Sequence, residues 1–157
     1  AADLSAANLS AANLRAADLR DANLRDADLR DAKADFLAEV LKLPNELEFL
    51  RVALVEGRVD GSTYSGECAC LAGTLAHARG IEKYQGENIP AAVPFQAAAS
   101  SPRERFFLAI SKGDTPETNA ASKVALEWTD EAIAIRDNII RLMSPAANHT
   151  ADINPAS

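Results

Sequence analysis

Several groups of side chains in this sequence have the types from which chemistry is built. Cys68-Ala-Cys70 with His77 offers two thiols and an imidazole, donors that suit zinc. Zinc takes four ligands at characteristic spacings, and a CxC with one distant His falls short of them. Cys68 beside His77 also has the composition of a thiolate–imidazole nucleophile, but no local motif accompanies it. Buried structural cysteines are the expectation, with no catalytic residue, metal or cofactor. Gly57, Gly61 and Gly66 form neither GxxxxGK[ST] nor GxGxxG, so no phosphate loop is predicted. Asn148-His-Thr150 is a formal glycosylation triplet that means little in a cytoplasmic protein. Arg103 and Arg105 follow Ser101-Pro102 at a predicted helix start beside a long loop, where an anion could bind; they are the candidate anion-binding residues.

The elements that must position these residues read as helices after residue 35. Phe36, Leu37, Val40 and Leu41 in FLAEVLKL predict a first helix over 36–43. Pro44 breaks it and opens NELEFLRVALVEG, with Leu47, Leu50 and Leu54 on one face and Gly57 at its end. DGSTYSG is turn-rich, and ECACLAGTLAHARG (67–80) predicts a third helix closed by Gly80. Residues 81–100, with Pro90 and Pro94, read as a long irregular connection, a length that is often functional. Ser101-Pro-Arg-Glu104 is a capping box that starts RERFFLAISK, and GDTPETN (113–119) is a loop. The last helix runs from Ala120 to Met143, and residues 144–157 read as a flexible tail. Val124, Trp128, Ala132, Ile135, Ile139 and Met143 make one apolar stripe on it. Leu126, Ile133 and Ile140 make a second on nearly the opposite side, so the helix is expected to be sandwiched in the domain or shared with another subunit.

Residues 1–35 obey a different rule. AADLS AANLS AANLR AADLR DANLR DADLR DAKAD is seven tandem blocks of five, with Leu4, Leu9, Leu14, Leu19, Leu24 and Leu29 in register. An α-helix turns about 100° per residue, so a step of five rotates each Leu by about 140° and spirals the set around the cylinder. A strand alternates with period two, so the same step flips Leu between faces. Neither element buries this set, whereas stacked small units build a shared core as a solenoid.

The blocks resemble the pentapeptide-repeat family, A(D/N)LXX. That resemblance implies a short right-handed, square-sided β-helix, one block per side and four sides per coil, followed here by an all-α helical domain. The predicted organisation is a solenoid over 1–35, a helical domain over 36–143 and a tail over 144–157. Seven blocks would then make one coil and three sides, stacking Leu4 on Leu24, Leu9 on Leu29, and Arg15 beside Asp35. Phe36 and the helix after it would plug the open C-terminal end. Arg15, Arg20, Arg25 and Arg30, with Asp21, Asp26 and Asp31, would ring the outside as a charged collar, the candidate partner-binding surface. The segment from Ser101 to Ile140 resembles, less specifically, uncharacterised bacterial and prophage proteins.

Charge and composition bound the function. The chain carries a net charge of −7 and a pI near 4.8, which disfavours direct binding to nucleic-acid phosphates. No run of 18 or more apolar residues offers a membrane span, no signal peptide is visible, and two cysteines only two residues apart, poorly placed for a disulfide framework, fit a reducing bacterial cytoplasm. The family includes DNA mimics that protect topoisomerase from inhibitors. Here the repeats hold seven Asp against four Arg and one Lys, a balance too mixed and too short for a uniform anionic rod. The reading is a non-catalytic interaction protein that blocks a macromolecular partner, a protein rather than DNA, in phage–host conflict. The alternatives are a structural oligomerisation module and a nucleotide-sequestering protein using residues 81–104. A homo-oligomer, in the first instance a dimer, is expected through Leu4, Leu9 and Leu14 at the solenoid end or Leu126, Ile133 and Ile140 on the last helix.

Overall fold

The computed structural model describes residue 4 and residues 7–9, 29–63, 70–81 and 100–144. Among these residues the chain forms five helices in order: α1 Arg30–Val40, α2 Leu47–Val55, α3 Leu71–Ala78, α4 Pro102–Phe107 and α5 Ala120–Met143. No β-strand occurs among the described residues.

The first difference from expectation is where the helices begin. The leucine series ends at Leu29, and Ala32, Phe36 and Val40 then recur every four residues and are buried on one face of α1. The seventh block, DAKAD, is therefore the opening of a helix and not a solenoid side. Alanine and lysine favour helix wherever no repeat leucine demands otherwise. The chain turns through Leu43 and Pro44 before α2, which buries Leu47, Leu50, Ala53 and Leu54. Gly57 closes α2 at φ +66°, the left-handed conformation expected of a C′ glycine.

α5 is the spine. Its first half packs on α2, α1 and α4, while α1 also packs on α4 and α3 on α2. The centre is aromatic. Phe36 stacks on Phe107 at 5.8 Å and meets Trp128 at 5.8 Å, and Phe106 lies 4.6 Å from Trp128. Such pairs add about 0.5–1.5 kcal/mol each beyond their buried area. Phe36 thus belongs to the middle of the helical core, in the same cluster as Leu29 of the repeats; the coil end that it was expected to plug lies outside the described residues. Leu4 and Leu9 are half-buried and pack against this same core, so neither is the bare solenoid end offered for dimerisation. Leu14 and the other repeat positions between 10 and 28 lie outside the described residues, as do the 82–99 connection and the tail beyond 144.

Two loops are pinned across the domain. The Gly113 N–H donates to the Gly57 carbonyl at 2.9 Å, and the Gly61 N–H to the Ile110 carbonyl at 2.9 Å. A Cβ on Gly61 would stand 1.9 Å from the Phe107 carbonyl oxygen, so only glycine fits that approach. Asn119 caps α5: its Oδ1 accepts from the N–H groups of Ala121 and Ser122, at 2.8 and 3.1 Å. Its Nδ2 donates to the Ala109 carbonyl and to Asp114 Oδ2, at 3.0 and 2.8 Å. Asn119→Ala removes a cap and strands buried partners, so urea denaturation should show a loss of about 2 kcal/mol. A loss under a few tenths would refute this role.

α5 also corrects the two-stripe reading. Its buried face is one stripe, Ala121, Ala125, Trp128, Thr129 and Ala132. Ile133 is half-buried against the core, and Leu126 is half-buried beside the loop at Pro116. Only Ile140 of the second stripe is mainly exposed. Among the described residues the second half of the helix is sandwiched along neither side. Arg136 is its last anchor, donating to the Pro44 carbonyl at 3.0 Å and to Glu48 at 3.1 Å. Its hydrogen bonds to Asp137 and then to Glu48 push its pKa above the ordinary arginine value.

Candidate functional site

The chemistry expected at Arg103 and Arg105 resolves into a buried ionic cluster between α1 and α4. Ser101 caps α4 as its sequence predicts, its Oγ accepting from the Glu104 N–H at 3.3 Å. Pro102 at the first helical position needs no hydrogen-bond acceptor. The anion that meets this helix start is supplied by the chain. Asp35 Oδ1 accepts from Arg103 Nη1 at 2.7 Å, and its Oδ2 from the Arg103 backbone N–H at 3.1 Å. Arg103 is buried, so its expected role in capturing an external anion is corrected to an internal one. Arg15, the partner expected for Asp35, lies outside the described residues. Arg105 is half-buried on the same helix.

Glu104 stands out in the sequence only as the fourth position of a capping box. Its carboxyl does not complete that box by any described hydrogen bond. It is 5% exposed, its Oε1 accepts no described hydrogen bond, and the nearest cation, Arg103 Nε, is 3.9 Å away. Burial pushes its pKa up to about 7; Arg103 pulls it down, and Asp35 pushes it further up. The cluster can therefore hold or release one proton near neutrality, while the ion pair beside it clamps α1 to α4.

The other candidates do not converge on it. Arg30 and Asp31 are exposed on the first turn of α1, on a helix instead of a coil collar. Arg20, Arg25, Asp21 and Asp26 lie outside the described residues. Cys70 is buried just ahead of α3, and His77 sits two turns on, about 10 Å along the helix. Cys68, Gly66 and the Asn148 triplet lie outside the described residues. Among the described residues no three His, Cys, Asp or Glu side chains gather as metal ligands. No described helix is long and apolar enough to cross a membrane.

No curated protein and no solved structure matches the chain. The family model for pentapeptide repeats matches residues 1–35, in eight copies. That is about a fifth of the 157 residues. The described helices α2 to α5 lie wholly outside the match, and α1 overlaps it only at Arg30 to Asp35. The N-terminal segment of this chain is a run of pentapeptide repeats.

Proposed function

We propose that this chain is a non-catalytic interaction protein, acting in the bacterial cytoplasm, that binds and blocks a macromolecular partner, a protein, in phage–host conflict. The observation that carries the reading is the match of residues 1–35 to pentapeptide repeats, joined through Leu29 directly to α1. In the square-sided β-helix that the repeats would form, their side chains give a regular charged surface, and Leu4 and Leu9 tie it to the helical core. The net charge of −7 supports a partner with a basic surface, such as one that itself binds nucleic acid. A tagged full chain, passed through bacterial lysate at low and high salt, should retain one stoichiometric protein, and Asp21→Lys with Asp26→Lys should weaken that capture. Recovery of a bound nucleotide and no protein would overturn the reading in favour of a sequestering protein.

A second reading, an oligomerisation module, is favoured by one feature: the apolar end of α5, where Leu142 and Met143 are 75% and 78% exposed.

A further inference from the structure

The two turns of α4 are held in different ways. The second is anchored by rings: Phe107 stacks on Phe36 of α1, and Phe106 lies against Trp128 of α5. The first, Ser101 to Glu104, is held by Asp35 of α1, which accepts from the Arg103 backbone N–H at 3.1 Å and from its Nη1 at 2.7 Å. Glu104 is carried on that first turn, with Oε1 buried and accepting no described hydrogen bond. Arg103 Nε stands 3.9 Å from it, but the guanidinium is drawn the other way, to Asp35. A protonated carboxyl tolerates this place, whereas an ionised one is buried with an unsatisfied oxygen, which costs a great deal. α4 packs on α1 and α5, and their other charges are engaged elsewhere. Lys33 of α1 pairs with Glu131, Glu39 with Lys42, and Asp130 of α5 with Arg51, while Glu127 is exposed. Burial therefore dominates and raises the pKa of Glu104 to about 7, with Arg103 lowering it and Asp35 raising it.

An ionised Glu104 can be relieved in two ways: the domain unfolds, or water reaches the carboxylate. The second needs only the first turn to move, because the rings that anchor α4 lie on the next one. Local openings of this kind require less free energy than global unfolding. We propose that the first turn of α4 is a proton-operated latch on α1, closed on Asp35 while Glu104 carries a proton and lifted from Asp35 once that proton passes to water. The sign follows from burial. The closed turn favours the neutral acid, so the latch is shut at low pH and loosens as pH rises from 4.5 to about 7. Asp35 is also the last residue of the pentapeptide-repeat match, so the latch sits at the joint between the repeats and the helical domain. This goes beyond the blocking function and does not depend on it.

Native-state hydrogen exchange of the full chain, followed by NMR at several pH values and low urea concentrations, tests this. The reporter is the Arg103 amide, whose hydrogen bond to Asp35 breaks when the latch lifts. The reference is the amide of Leu54, buried in α2. With the intrinsic pH dependence of exchange divided out, opening at Arg103 should rise about 70-fold between pH 5 and pH 8. That opening should be insensitive to urea, because a lifted turn exposes little surface, whereas exchange at Leu54 should be slower and should quicken with urea. Glu104→Gln, which keeps the shape and cannot ionise, should abolish the rise. An Arg103 amide that exchanges in step with Leu54 at every urea concentration would overturn the proposal, since only global unfolding would then release the turn. So would opening that does not rise with pH, or a rise that survives Glu104→Gln. Capture of a host protein by a chain that shows no such opening would leave the blocking function standing and the latch refuted.

Discussion

Phe36→Asp is expected to unfold the whole helical domain, and not merely to loosen the repeats. Phe36 has no exposed surface and lies between Phe107 and Trp128, so it joins α1 to α4 and α5 at one point. Aspartate there loses the burial of a phenylalanine, about 3–5 kcal/mol, and leaves an unpaired carboxylate in an apolar site. The sum is comparable with the whole stability of a small domain, about 5–15 kcal/mol. Circular dichroism at 25 °C should show most of the helical signal lost, and Trp128 fluorescence should shift to that of exposed indole. Phe36→Leu, which keeps the site apolar, should remain folded with a loss of about 1–2 kcal/mol. A Phe36→Asp protein with native helix content would contradict this account of the core.

The helical half of this fold is largely legible because its signals are local. Gly57 and Gly80 end their helices, Ser101-Pro102 starts α4, and the last helix runs from Ala120 to Met143 as its pattern indicates. The early start of α1 is missed for a specific reason. The five-residue frame extends through DAKAD only if Ala34 takes the place of a leucine. The last true repeat leucine, Leu29, marks the boundary, and the four-residue spacing of Ala32, Phe36 and Val40 marks the helix beyond it. The aromatic partners of Phe36 are not legible for a different reason: Phe107 and Trp128 lie far along the chain. The α5 stripes fail differently. Periodicity reports which residues share a face, but whether a neighbour covers that face depends on where the chain returns. Nothing local tells Ile133, which meets the core, from Ile140, which does not.

The candidate site is legible only in its types. Arginine at a helix start signals an anion, and an anion is there, but it is Asp35, 68 residues earlier in the chain. A contact of that separation leaves no trace in a single sequence. Glu104 is hidden by its own motif: a glutamate three residues after a capping serine has a ready explanation on the surface. The packing of α4 between α1 and α5 turns it inward instead.

The second large effect is at Asp35, and its size should depend on pH. Asp35→Ala leaves the Arg103 guanidinium buried without its close carboxylate, a loss of about 3–5 kcal/mol when no other anion replaces it. Glu104 is the replacement, but only when ionised. Its folded pKa of about 7 lies above the unfolded 4.5 because burial disfavours the charge. Below 4.5 both states are protonated and Glu104 contributes no pH dependence. Between 4.5 and 7 the unfolded chain gives up the proton and the folded one keeps it, so stability falls as pH rises. Above 7 that loss is complete, at about 3 kcal/mol. Glu104→Gln does not titrate, so it should flatten this slope and be the more stable protein at pH 8. In Asp35→Ala the push that Asp35 exerts on Glu104 is gone, so Glu104 ionises at lower pH and becomes the counter-ion of Arg103. The cost of Asp35→Ala should therefore be greatest near pH 5, where Glu104 is still protonated, and smaller at pH 8. The double variant Asp35→Ala with Glu104→Gln should lose that relief and show the full loss at both values. Urea denaturation of the four proteins at pH 5 and pH 8 decides the matter: a cost for Asp35→Ala that is equal at the two pH values would show that Glu104 does not exchange its proton with this ion pair.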